Sequence, residues 1–181
     1  MKKITSTKVA RNYVLAQKLK KRYKQINNLT DYKRIYEEIQ KEVSAYSEQK
    51  LWGLITDPSR KRRFRQLQWY EGKVSLDKIG LWPHMSNIAD NLLIKDAQWS
   101  VNQIYASSGK LLKGQIHHLF RILPFVQFLN LNVPIIVVKG GTIRKKPYLK
   151  EKYDIEDGCH RAVCMGLLGR KIANAYIGIE K

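Results

Sequence analysis

The chain has 181 residues, of which 44% are apolar, and its 34 lysines and arginines against 15 acidic residues give a net charge of +19. This length and composition suit one folded domain with an extension and exclude a disordered chain. The charge exceeds what solubility requires and indicates a polyanionic partner such as DNA or RNA. With no apolar run long enough to span a membrane and no secretory signal, the sequence predicts a cytoplasmic protein without a membrane partner.

The first 65 residues carry a net charge of +12 and predict a hairpin of two helices. Apolar and aromatic residues recur at spacings of three and four from Val9 to Ile26, which predicts a basic amphipathic helix over residues 8–26. A second such pattern, with Thr30 as its cap, runs from Tyr32 to Tyr46. The cations of the first helix that could bind nucleic acid are Lys18, Lys20, Lys21, Arg22 and Lys24.

A third basic segment is predicted as a helix over residues 58–70, with Asp57 as its cap and Pro58 at its first position. Such charge runs are often solvated surface. Here the cations surround Phe64 and precede two further aromatic residues, which favours contact with a nucleic-acid backbone. The predicted contact residues are Arg60, Lys61, Arg62, Arg63 and Arg65.

The second half of the chain alternates strand and helix patterns. "KVSLDKIGLWP", "VPIIVVKGG", "KYDIED" and "IANAYIGI" predict strands, and "CHRAVCMGLLGR" predicts a helix that stops at Gly169. Residues 99–132 are interpreted as largely helical, with Pro124 either kinking a helix or starting a second one. These elements predict an α/β or α+β core with helical additions.

The hexapeptide "EDGCHR" (156–161) lies where a strand must turn into a helix. Gly158 permits a positive φ, and the amides of Cys159, His160 and Arg161 at a helix N-terminus form an anion site. Arg161 can add a two-pronged hydrogen bond to a phosphate, and Lys139 can flank the anion. In the alternative interpretation, Asp157 only caps the helix while His160 and Arg161 face solvent.

The two cysteines differ in what their positions predict. Cys159 lies in the first helical turn near Arg161, where a reactive thiolate is favoured, although a small packed cysteine is the simpler interpretation. Cys164 is predicted to lie in the core. Five residues apart on one helix, the two side chains point about 140° away from each other. The sequence therefore predicts neither a disulfide nor a metal site from this pair.

Three motifs together resemble the ParB/sulfiredoxin superfamily: "VSLDKIGLWPH", "VPIIVVKGG" and "YDIEDGCHRAVCMGLLGRKIANAYIG". The resemblance covers residues 73–98 and 133–179. It implies an α+β fold with a small mixed sheet, in which residues 71–181 form the core with a helical insertion at 99–132 and residues 1–70 form a basic helical extension. It also places the loop containing His84 opposite the phosphate-binding turn.

The resemblance implies a phosphate- or nucleotide-binding site made of Gly158, Cys159, His160, Arg161, Lys139 and His84, with ATP or ADP and Mg²⁺ as candidate cofactors. Its catalytic candidates are Asp157, Cys159, His160 and Arg161. The leading hypothesis is a nucleic-acid-associated ParB-like protein, with nuclease or nucleotide-hydrolase activity left open. Two enzyme alternatives are an ATP-dependent sulfiredoxin-like thiol enzyme using Cys159 and an ADP- or ATP-dependent small-molecule kinase like the free serine kinases.

Overall fold

The computed structural model describes residues 1–80, 119–139 and 153–180. Within these ranges, helices pack against one mixed sheet, which confirms the predicted α+β class. The strands are β1 (Lys2–Ile4), β2 (Gln68–Ser75), β3 (Ile79–Gly80), β4 (Ile135–Lys139), β5 (Tyr153–Asp157) and β6 (Ile172–Ile179). The helices are α1 (Ser6–Arg22), α2 (Leu29–Ser44), α3 (Glu48–Leu54), α4 (Pro58–Gln66), α5 (Val126–Asn132) and α6 (Cys159–Leu167).

The six described strands are arranged in the order β1-β2-β6-β4-β5-β3. β2 pairs antiparallel with both β1 and β6, and β4 pairs antiparallel with β5. The pairs β4–β6 and β3–β5 are parallel. β4 and β6 lie at the centre of the sheet. The first four residues of β4 are each at most 1% exposed, as expected for a strand that is covered on both faces.

The predicted helical hairpin is confirmed, with one correction to a cap. Thr5 caps α1 by accepting a hydrogen bond from the Lys8 amide, and α1 ends in a 3₁₀ turn at Tyr23–Gln25. The second helix begins at Leu29, because the Asn28 side chain accepts from the amide of Asp31. The cap is therefore Asn28 and not the predicted Thr30, which lies inside the first turn.

The predicted start of the third basic helix is also confirmed. Asp57 Oδ1 accepts hydrogen bonds from the amides of Ser59 and Arg60, and Pro58 occupies the first helical position. The helix ends at Gln66 and not at residue 70, because Trp69 is buried in β2 opposite Gly178 of β6. The sequence patterns did not indicate α3, β1 or this first half of β2.

One apolar core joins the hairpin to the sheet. Leu19 of α1, Ile35 of α2 and Ile177 of β6 belong to the same buried cluster. Asn12, which is buried on α1, donates from Nδ2 to the Pro134 carbonyl at 2.9 Å just before β4. The predicted boundary at residue 70 lies inside β2, and the division into an extension and a core stays a prediction.

Pro124 marks the start of a second helix, one of the two predicted outcomes. Residues 119–122 are helical, Pro124 lies in a 3₁₀ turn at Leu123–Phe125, and α5 follows directly. The Phe125 ring stacks on Tyr32 of α2 at a centroid distance of 5.4 Å, which places this segment against the hairpin. The predicted helical segment before residue 119 lies outside the described residues.

Candidate functional site

The turn between β5 and α6 has the backbone that its sequence predicts. Gly158 has a φ of +94° and a ψ of 20°, in the left-handed region that favours glycine. Glycine is also required here because the neighbouring atoms leave no space for a side chain. A Cβ at this position would lie 2.6 Å from Arg161 Nη2 and 2.7 Å from Cγ2 of Ile135. Only glycine therefore permits both this turn and the close approach of the Arg161 guanidinium.

The N-terminus of α6 carries no side-chain cap. Its capping residue is Gly158, whose carbonyl accepts from the Ala162 amide at 2.9 Å but which has no side chain to offer. The N–H groups of a first helical turn point out of the helix, and the peptide dipoles give that end a partial positive charge. The side chains of Thr5, Asn28, Ser47 and Asp57 cap α1 to α4, respectively.

Asp157 is held by two donors and does not cap α6. Its Oδ1 accepts from Gln17 Nε2 of α1 at 2.9 Å, and its Oδ2 accepts from Arg161 Nη2 at 2.7 Å. The Arg161 side chain is 5% exposed, so the alternative in which it faces solvent is wrong. Its Nε is buried without a hydrogen-bond partner among the described residues. The buried guanidinium is therefore only partly satisfied by hydrogen bonds to the described residues.

A small cavity of about 60 Å³ lies between this turn and α1. Residues 157–161 form one side, and Gln17, Lys20 and Tyr23 contribute to the other. Burial raises the pKa of Tyr23 to about 12, so its phenol stays neutral at physiological pH. Since a water molecule occupies about 30 Å³ in the liquid, the cavity has room for a group of phosphate size.

For two residues that were predicted to belong to this site, Lys139 and His84, the described part of the chain supports no position at the turn. Lys139 pairs with Tyr153, at the opposite end of β5 from Asp157. Four residues of strand separate the two positions, about 13 Å at roughly 3.3 Å per residue. This register is contrary to the prediction that Lys139 flanks the anion. His84 lies outside the described residues.

Lys20 lies at the turn, although the basic face of α1 predicts a nucleic-acid contact for it. It lines the same cavity as Gly158, Cys159 and His160. Its side chain is exposed and makes no ion pair with any described residue. The long-range packing of α1 on the turn produces this proximity, and no local motif signals it.

The two cysteines are free thiols, as their spacing predicts, and they differ in surroundings. Cys159 is half-buried and lines the cavity. Cys164 is fully buried, and its thiol donates to the Leu119 carbonyl at 3.4 Å. Burial raises the pKa of Cys164 to about 12, so this thiol is unreactive at neutral pH.

Two of the predicted nucleic-acid contacts are engaged inside the protein. Glu156, whose side chain is 1% exposed, accepts from Arg63 Nη2 at 2.9 Å and lies 3.4 Å from Arg60 Nε. Arg60 also donates from Nη1 to the Tyr13 hydroxyl at 2.7 Å. The four side chains join α4 and α1 to β5 one residue before Asp157. The hexapeptide motif alone assigns Glu156 no such role.

Some of the remaining predicted nucleic-acid contacts already bind other side chains of the protein, and others do not. Lys18 pairs with Glu42 at 2.8 Å and Arg22 with Glu38 at 2.9 Å, while the Arg65 guanidinium lies 4.6 Å from the centre of the Trp52 ring. In the described part of the chain, the predicted contacts that make no ion pair and no ring contact are Lys20, Lys21, Lys24, Lys61 and Arg62.

Two other kinds of feature are absent from the described residues. Within residues 1–80, 119–139 and 153–180, no three histidine, cysteine or acidic side chains are grouped so that they could hold a metal ion. Across the same ranges, every helix is too short or too polar to cross a membrane.

Comparisons with known proteins found no similarity to this chain. No family model matches it, and neither the curated proteins nor the solved structures include a match. The ParB/sulfiredoxin resemblance therefore stays a prediction that rests on the three motifs.

Proposed function

We propose that the protein associates with nucleic acid and binds a phosphate group at the turn between β5 and α6. The observation that carries this proposal is the phosphate-sized cavity at the N-terminus of α6, where Lys20 and the buried Arg161 meet the positive end of the helix dipole. The net charge of +19 supports a polyanion as the source of the phosphate.

The charges around the cavity favour an anion. Asp157 and Arg161 neutralise each other through their 2.7 Å hydrogen bond, and Gln17 occupies the second carboxylate oxygen. The positive charge left over belongs to Lys20 and to the helix N-terminus. An anion in the cavity would receive hydrogen bonds from Lys20 Nζ and from the first amides of α6, next to the positive charge of the Arg161 guanidinium.

A nucleotide would bind at this cavity through a phosphate group. ATP or ADP would place that group beside Lys20 and the N-terminus of α6. Hydrolysis of a bound phosphoester would require a group that activates water, and Asp157 and His160 are the candidates that line the cavity. Nuclease and nucleotide-hydrolase activities accordingly belong to the proposal as reactions to be assayed.

The experiment is a thermal-shift titration with inorganic phosphate, ADP and ATP, against sodium chloride of equal ionic strength. A ligand that binds only the folded state stabilises it by about 2.7 kcal/mol at a hundredfold excess over Kd. We expect phosphate to raise the Tm of the wild type and of Lys24→Gln, and to leave that of Lys20→Gln unchanged. Both lysines are exposed, so the pair is matched in charge and solvation.

Two results would argue against a phosphate site at this turn. One is the absence of any shift beyond that of sodium chloride, and the other is an equal shift in the Lys20→Gln and Lys24→Gln variants. A shift with ATP but none with phosphate would place the binding determinant on the nucleoside and not in this cavity.

A second candidate function is sulfiredoxin-like thiol chemistry, which one observation favours. Cys159 lies in the first turn of α6 and lines the same cavity as Lys20 and Arg161, surroundings of the kind that favour a thiolate. This proposal requires ATP-dependent reduction of a sulfinic acid substrate, and Cys159→Ser would abolish it. Phosphate binding without such turnover would favour the first candidate.

A further inference from the structure

A second and larger concavity lies at the other end of α6. It is a groove of about 540 Å³ bordered by β2, β6, α5 and the residues that follow α6. Three exposed cations line it: Lys73, Arg170 and Lys171. No carboxylate belongs to its described lining, and none of the three cations pairs with a described acidic residue. We call this concavity the basic groove.

The wall that α5 contributes to the basic groove is fixed by two hydrogen bonds. The pairing of β6 with β4 begins at Ala175, so the amide of Asn174 lies beyond the reach of β4. Asn130 of α5 supplies the hydrogen-bond acceptors that a neighbouring strand would otherwise provide at this position. Its Oδ1 accepts from the Asn174 amide at 2.8 Å, and its carbonyl accepts from Asn174 Nδ2 at 3.0 Å. The groove is thus formed before a ligand arrives, which lowers the entropic cost of binding.

Two of its cations are presented by a fixed turn. Gly169, with a φ of +69°, ends α6, and the next amide, of Arg170, donates to the Met165 carbonyl at 2.9 Å. The Lys171 carbonyl then accepts from the Leu76 amide at 2.9 Å. These bonds hold the backbone of both cations in place, although their side chains extend into solvent.

Apolar surface accompanies the positive charge. Leu131 is 71% exposed and Ile172 is 54% exposed, and both line the groove. Cations beside exposed apolar side chains match a ligand that carries phosphates along one edge and bases or sugars along the other. A basic groove that tracks the backbone is a common feature of proteins that bind single strands.

We infer that the basic groove binds single-stranded nucleic acid through its backbone phosphates. This inference rests on the proposed association with nucleic acid but not on the turn as its phosphate site. The two sites lie at opposite ends of α6, whose nine residues span about 13 Å, so substitutions in one leave the other intact.

The test is fluorescence anisotropy with labelled oligo(dT), oligo(rU) and a DNA duplex, at several salt concentrations. The groove variant carries Lys73→Gln, Arg170→Gln and Lys171→Gln. The control variant carries Lys33→Gln, Lys41→Gln and Lys78→Gln, which removes the same number of exposed charges outside the groove. We expect the groove variant to bind oligo(dT) roughly ten- to a hundredfold more weakly, since each exposed ionic contact is worth a few-fold. The slope of log K against log salt should fall by about 2 for three lost contacts.

A second pair of variants guards against loss of folding. Leu131→Glu adds a carboxylate to the groove without removing a cation, and Leu29→Glu adds one to an exposed position on α2. Only the former should weaken binding. Equal binding by the groove and control variants, or a groove variant that loses affinity for the duplex but not for the single strands, would overturn the inference alone. A wild type that binds no nucleic acid at all would overturn both the inference and the proposed function.

Discussion

The Arg161 guanidinium occupies the space that a side chain at Gly158 would need: a Cβ on the glycine would lie 2.6 Å from Nη2 of the arginine and 3.0 Å from its Nε. The guanidinium reaches Asp157 by passing over this bare backbone. The same residue therefore makes the sharp turn and opens the path for the buried ion pair. The geometry of the candidate phosphate site depends on this contact.

We expect Gly158→Ala to lower the free energy of unfolding by at least about 1–3 kcal/mol, the usual cost of forcing a side chain into a strained backbone. The contacts with Arg161 and Ile135 should add to it, because both neighbours are buried. Urea denaturation measures the change.

Two other glycines provide controls for that substitution. Gly169 has a φ of +69°, but a Cβ added there would meet nothing within 4 Å, so Gly169→Ala measures backbone strain without a collision. Gly53 lies in α3 with open space around it, and Gly53→Ala should be stabilising by about 0.5–1 kcal/mol. If Gly158→Ala costs no more than Gly169→Ala, the contact with Arg161 carries no energetic weight.

Glu156 should be important for stability, since it is the buried carboxylate between two arginines. Replacing it with glutamine leaves Arg60 and Arg63 without their charge partner in partly buried positions. We expect Glu156→Gln to destabilise the fold by about 2–4 kcal/mol, somewhat less than for a fully buried pair. Chemical denaturation at neutral pH checks this value.

The matched control for Glu156 is Glu38→Gln. Glu38 also contacts two arginines, Arg22 and Arg34, but on an exposed helix surface. Exposed pairs contribute little because water and salt screen them. Similar losses in both variants would show that burial of the Glu156 cluster is unimportant.

Cys159 should react with iodoacetamide before Cys164 does. At pH 7 to 9, Cys164 lies well below its raised pKa of about 12 and is buried, so it should be alkylated only when the protein unfolds. Cys159, which is half-buried at the cavity, should be modified in the folded state. Mass spectrometry of the labelled peptides, with Cys164→Ala as control, distinguishes the sites. Equal rates at both cysteines would contradict this order.

The basic residues of α4 should separate into two classes when binding to duplex DNA is measured against salt. Lys61→Gln with Arg62→Gln should reduce the slope of log K against log salt by about 2, since each phosphate contact contributes about 0.9. Arg60→Gln with Arg63→Gln should instead lower thermal stability and leave the slope unchanged, because Glu156 and Tyr13 already bind these two side chains. A slope that falls only in the second variant would reverse this assignment.

Much of the secondary structure could be predicted from local patterns. Asp57 followed by Pro58 indicates a helix start, and Asp157 followed by Gly158 indicates a strand-to-helix turn, because each pair acts on its own backbone. β1 could not be predicted in this way. Its residues Lys2 and Lys3 are exposed, and the strand exists only because it pairs with β2.

The candidate site was predictable only in part, for the same physical reason. Charged side chains are normally exposed, so a run such as residues 60–65 indicates a charged surface. The partial burial of Arg60 and Arg63 follows from Glu156, which lies more than 90 residues away in sequence. Likewise, the distance of Lys139 from the turn follows from the register of β4 on β5.

The position of β6 has a consequence for the order of folding. β6 lies between β2 and β4, and its pairing with β2 joins residues such as Tyr70 and Ile177, more than a hundred positions apart. During synthesis, β2 and the hairpin that precedes it are complete long before this partner leaves the ribosome. Until then both β2 and β4 present an open edge to other chains, and closing so long a loop is slow. A nascent chain of this protein is therefore most exposed to misassembly just before β6 leaves the ribosome.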